Sequence, residues 1–149
     1  GMFKNIGSTT EDVTDQVRQK ILDDLITGDK KISFPKTQIV IDKGGSQVLT
    51  VGIRNKNDNK LYYRMQFTEV SGPDGQPLPI GSLDSWFQFA KSQVYTLSAA
   101  DTEVRNIRLN IPTTVTSGSY FLTFDVLDDN LPPPDNMYGQ KDFFIVVKG

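Results

Sequence analysis

Residues 117–126 read SGSYFLTFDV, and the period of this stretch decides the fold. Gly118 supplies a turn, after which Tyr120, Leu122, Phe124 and Val126 fall on one face of an extended segment, and Ser119, Phe121, Thr123 and Asp125 on the other. A period of two over this length predicts a half-buried strand, because successive side chains of a strand point to opposite faces. Tyr120, just after the turn, occupies the place where sandwich domains put a corner tyrosine whose hydroxyl bonds back to upstream backbone.

The same alternation recurs on both sides. Upstream, Ile107, Leu109 and Ile111 make the buried face of a strand that Pro112 ends, since proline cannot donate to a ladder. Leu49, Val51 and Ile53 face inward from residues 47–54, and Leu61, Tyr63, Met65 and Phe67 share one face of residues 61–70. Residues 31–34 and 38–42, split by Pro35, read as an edge strand in two pieces. Residues 85–90 and 93–97 predict two short strands, and residues 142–147 close the sheet. Residues 71–81, with three prolines and three glycines, form an irregular connection, and residues 127–140 a second long loop. The connections are too short for helices between strands, which speaks against a parallel sheet. The fold class is therefore all-β: an immunoglobulin-like antiparallel β-sandwich of about seven strands preceded by one amphipathic α-helix.

That helix is predicted over residues 9–27. Val13, Val17, Ile21 and Leu25 recur every four residues, with Leu22 and Ile26 widening the stripe. Ser8 and Glu11 fit a capping box, and Gly28 a stop. Residues 1–29 thus form a lead and helix, and residues 30–149 the sandwich. The stripe either covers a face or open edge of the sandwich or serves as a stalk to an anchor or a partner's helix. Gly1 before Met2 reads as an expression scar, which leaves room for an upstream segment. Any link to a membrane is expected only through such a segment, because no apolar run approaches the length of a span.

Composition excludes several classes of function. The chain of 149 residues carries 16 Lys+Arg against 18 Asp+Glu, a formal net charge of -2, and has no basic run to neutralise a nucleic-acid backbone. It contains no histidine and no cysteine. Imidazole-based acid–base chemistry, Ser-His-Asp and Cys-His mechanisms, the HExxH zinc motif and thiolate sites are all removed.

Carboxylates remain. Asp128, Asp129 and Asp135, with Asp74 or Asp84, are the candidates for a glycosidase pair, which needs two carboxyls held beside a sugar cleft. Nothing in the sequence predicts that cleft, and no catalytic activity and no cofactor are expected. Asp128, Asp129, Asn130, Asp135 and Asn136 offer oxygen ligands for calcium, but without EF-hand spacing, and no metal site is assigned. Residues 55–60, NKNDNK, are a weaker version of the same idea, diluted by two lysines.

Partner binding is the remaining expectation. The 127–140 loop exposes Leu131, Met137 and Tyr138 among prolines that reduce the entropy lost on docking; the alternative is a structural crossover wrapping its own edge strand. Trp86, set by alternation opposite Phe87 and Phe89, is either a platform for a sugar or protein or is covered by the 71–81 loop. Phe143, Phe144, Ile145, Val146 and Val147 are apolar on both faces of the last strand, so either the helix packs over its outer face or that face joins another subunit.

The segments PKTQIVIDKGGSQVLTVGIRNKNDN and YTLSAADTEVRNIRLNIPTTVTSGSYFLTFDV resemble the immunoglobulin-like modules of cell-surface and secreted proteins of the NEW3 or CARDB type. The matching positions are the turn Gly44-Gly45, the strand ending in Ile111-Pro112 and the step Gly118-Ser119-Tyr120. In layout alone, an acidic sandwich behind a lone helix is similar to the soluble domains of archaeal pilin-like and archaellum-stator proteins. Either resemblance implies a non-catalytic role in adhesion, anchoring or assembly, at the cell surface or outside the cell, with a protein or cell-surface component as partner and oligomers possible. A structural spacer in a larger extracellular protein, or a carbohydrate- or calcium-binding sandwich, is the alternative.

Overall fold

A computed structural model describes residues 15–149. The expected capping box at Ser8 and Glu11, and Val13 of the helical stripe, lie outside the described residues. Helix α1 spans Asp15–Ile26. The strands are β1 (Ile32–Ser33), β2 (Gln38–Asp42), β3 (Ser46–Arg54), β4 (Leu61–Ser71), β5 (Phe87–Gln88), β6 (Tyr95–Leu97), β7 (Thr102–Asn110), β8 (Gly118–Asp128) and β9 (Met137–Lys148). They form a four-stranded sheet in the order β1-β3-β7-β5 and a five-stranded sheet in the order β2-β9-β8-β4-β6. This is the immunoglobulin-like β-sandwich.

The opening stretch becomes β8, the middle strand of the larger sheet. Tyr120, Leu122, Phe124 and Val126 are buried against Leu49, Val51 and Ile53 of β3 and Ile107 and Leu109 of β7 in one core, each contributing about 1.5–3 kcal/mol by removal of apolar surface from water. The rings of Phe67 on β4 and Phe87 on β5 stack across the two sheets at 3.8 Å. A polar tie also crosses: the Tyr63 hydroxyl donates to Glu103 Oε1 at 2.6 Å, and Arg105 Nε donates to that hydroxyl at 3.1 Å. At the entry to β8, Gly118 has φ +133, and a Cβ there would lie 2.6 Å from Pro73 Cβ, so both backbone and space require glycine. Tyr120 donates its hydroxyl to the Thr116 carbonyl at 2.6 Å, the corner bond that its position predicts.

The split edge strand goes further than its sequence shows. β1 pairs antiparallel with β3 in one sheet, and β2 pairs parallel with β9 in the other. Pro35, with no amide to donate, marks the bend where the chain changes sheets. Among the described pairs β2–β9 alone is parallel; the rest are antiparallel.

The helix packs on the outer face of β3, not over the last strand. Ile21 and Leu25 are buried against Gly52, where a Cβ would fall 2.4 Å from Ile21 Cγ2 and 2.8 Å from Leu25 Cδ1. A glycine on the outward side of a strand allows this close approach. Arg54 fastens the helix end, its Nη1 donating to the Leu25 carbonyl at 3.1 Å, which satisfies a terminal acceptor and places a cation at the negative end of the dipole.

Candidate functional site

The sequence-derived binding residues do not gather into one place. Tyr138 is buried, because β9 begins at Met137 and β8 continues to Asp128, shrinking the expected 127–140 loop to residues 129–136. Its hydroxyl donates to the Arg54 carbonyl at 2.5 Å and accepts from the Lys56 amide at 2.9 Å. Lys31 Nζ donates to its carbonyl at 3.3 Å and lies 4.8 Å from its ring centre. Burial pushes the phenol pKa upward, against the Lys56 bond, which favours the phenolate. Tyr138 is thus a tie between the ends of β3 and β9, and its expected exposure is corrected.

Trp86 is corrected likewise. It ends a 3-10 turn, Asp84–Trp86, so strand alternation does not apply, and both Trp86 and Phe87 are buried. The Trp86 ring meets Tyr120 edge-on at 4.9 Å, leaving no platform for a ligand. Leu131 and Met137, by contrast, stand exposed.

Three of the five carboxylate candidates are engaged locally. Asp129 pairs with Arg64 at 2.8 Å, Asp128 accepts from the Asn130 amide at 3.0 Å, and Asp74 accepts from the Gln76 amide at 2.9 Å. Among the described residues no three acidic groups converge as a metal site would need. In the 55–60 loop, buried Asn55 donates to the carbonyls of Asn59 and Leu97 at 2.7 and 2.9 Å and accepts from the Asn57 amide at 2.9 Å. That loop is built around its own first side chain, an arrangement that closes it without a cation.

The outer face of the five-stranded sheet carries what alternation left unassigned. At its middle, Asp125 is 1% exposed although it points away from the core. Its Oδ2 accepts from Gln66 Nε2 at 3.0 Å and Thr68 Oγ1 at 2.5 Å; its Oδ1 accepts from Thr123 Oγ1 at 2.8 Å and Gln140 Nε2 at 2.9 Å. Four donors fill the carboxylate's lone pairs, so it ties β4, β8 and β9 together and has no capacity left for a ligand.

Toward the start of β8 the same face turns apolar. Phe121 and Phe144 are register partners with rings stacked at 4.9 Å, and Val40 is the partner of Val146. Val40 is 47% exposed and Phe144 44%, and Phe121 and Val146 are half-buried. These four form a continuous apolar patch on β2, β9 and β8 with no layer of the described residues over it. The double-sided apolar run of the last strand signals this patch, but which strands lie beside it is a matter of sheet pairing, and that pairing is what adds Phe121 and Val40.

No protein-family model and no curated protein matches the chain. Solved structures do share its fold. A family 123 glycoside hydrolase from Clostridium perfringens is similar over 75% of this chain, with 12% identity and a TM-score of 0.58, and the chain spans 23% of that enzyme's length. A Niemann-Pick type C2 protein from the Japanese carpenter ant is similar over 80% of this chain and 90% of its own, with 10% identity and a TM-score of 0.51. A chaperone–tip adhesin complex of fimbriae biogenesis is similar over 78% of this chain and 55% of its own, with 13% identity and a TM-score of 0.48. At these identities the likeness is one of architecture.

Proposed function

We propose that this chain is a non-enzymatic interaction or assembly module of a cell-surface or secreted protein, binding a protein partner through the Phe121–Phe144 face. One observation carries the reading: two aromatic and two aliphatic side chains form a continuous patch, uncovered by any of the described residues, on a sheet whose opposite counterpart is covered by a helix. A bare apolar patch lowers its free energy by meeting another apolar surface. A protein fits better than a sugar, since sugar recognition needs polar groups aligned beside an aromatic ring, and the nearby Asp125 carboxylate is already saturated. The surface or secreted setting, and the NEW3 or CARDB kinship, rest on the resemblance at Gly44-Gly45, Ile111-Pro112 and Gly118-Ser119-Tyr120. No helix of the described residues is long and apolar enough to cross a membrane.

The reading is tested by placing a photo-crosslinking phenylalanine analogue at position 144, and at position 20 on the helix as a control, in the organism that makes the protein. Discrete adducts from position 144 alone are expected. Equal yields from both positions would return the chain to the role of a spacer.

A further inference from the structure

The open edge of β4 has a chemistry that the apolar patch lacks. β4 is paired with β8 along most of its length, but on its other side β6 covers Leu61 to Tyr63 alone. Beyond the gap, the Leu78 amide bonds the Val70 carbonyl at 3.1 Å and Ser71 bridges Pro77. Between these two closures no strand of the described residues pairs with the edge, although Met65 and Phe67 are themselves only 3% and 7% exposed. The Asp129 amide bonds the Tyr62 carbonyl at 2.7 Å, which fixes the parity: even-numbered residues here turn their main-chain groups toward β8. Met65 and Phe67 therefore turn theirs toward the gap, and among the described residues nothing bonds them from that side.

This gap opens into a cleft of about 230 Å³ between the two sheets, whose walls include Ile80, Phe87, Phe89 and Lys91. The walls are fixed. Phe87 stacks on Phe67 at 3.8 Å and Phe89 meets it edge-on at 5.8 Å, while buried Glu69 accepts from the amides of Gly81 and Leu83 at 3.0 and 2.9 Å, holding the far wall in place. The edge of β2 is treated differently, since there the Gln47 side chain caps the Val40 carbonyl at 3.0 Å. Edges that must not pair are blocked by such devices; among the described residues none caps the edge at Met65 and Phe67.

We infer that β4 binds an extended segment of a partner protein as an added strand, through main-chain hydrogen bonds to Met65 and Phe67, with apolar side chains entering the cleft. The occupant follows from the groups on offer. Paired donors and acceptors two residues apart match another polypeptide main chain. Residues opposite Met65 and Phe67 share their inward direction, toward Phe87 and Phe89, and the residue between them faces outward beside Gln66. The recognised pattern is apolar–polar–apolar. This edge is separate from the Phe121–Phe144 patch and the inference does not depend on it.

The test uses the full chain, isotope-labelled, and a capped peptide Thr-Val-Glu-Val-Thr at millimolar concentration. Resonances of the Met65 and Phe67 amides are expected to shift and their hydrogen exchange to slow at least tenfold. N-methylation of both valines should abolish binding, whereas N-methylation of the glutamate, whose amide faces away, should not. Ile80→Glu, at a position 79% exposed and so neutral to folding, should weaken binding at least tenfold. Equal binding of the two methylated peptides, unchanged Met65 and Phe67 amides, or amides already protected in the free chain would each overturn the inference.

Discussion

The two outer faces of the sandwich solve the same problem in opposite ways. On the four-stranded sheet, the face around Gly52 is sealed by Ile21 and Leu25 of the helix. On the five-stranded sheet no helix of the described residues arrives, and the face divides into a polar centre at Asp125 and an apolar patch at Phe121 and Phe144. A sheet face can be satisfied by cover or by its own cross-strand network. The stretch that has neither is where binding free energy remains to be gained.

If the helix is structural cover, its removal should cost most. Leu25→Ala empties a fully buried position and is expected to lower stability by about 3 kcal/mol in urea denaturation. A loss below about 0.5 kcal/mol would mean that the helix is a loosely docked stalk. Asp125→Ala strands four donors on β4, β8 and β9 and should cost about 2 kcal/mol by the same measurement, with Asp125→Asn milder because it restores part of the network. A neutral Asp125→Ala would remove the contrast between polar centre and apolar patch. Tyr138→Phe deletes the hydroxyl that joins Arg54 and Lys56 and should cost about 1 kcal/mol, without changing partner binding; a binding defect at unchanged stability would return Tyr138 to the recognition surface. Phe144→Ser sits on the bare patch and should alter stability by less than about 0.5 kcal/mol while reducing the crosslinking yield at neighbouring Val40.

Much of the fold was legible because alternation is a local property. The inward sets of β3, β4, β7 and β8 were readable residue by residue, as were the Tyr120 corner and the break at Pro35. The candidate sites fared less well. Trp86 and Tyr138 stand in an apparent strand and an apparent loop, where alternation leaves the tryptophan either bare or covered and loop position exposes the tyrosine, but a 3-10 turn buries one and a longer β9 buries the other. Loop boundaries depend on how far two strands continue to pair, which is a non-local matter, and aromatic residues at such boundaries are where a sequence misleads.

The sequence by itself determined the sandwich, its inward faces and the amphipathic helix, because side-chain periodicity of two or 3.6 is written in consecutive residues. Tertiary structure alone decided which face the helix covers, that β2 runs parallel to β9, that Phe121 meets Phe144 in the open and that no strand of the described residues pairs with β4 beyond Tyr63 on the β6 side. Those outcomes depend on which strand lies beside which, and neighbours in a sheet are chosen by packing between segments far apart in the chain.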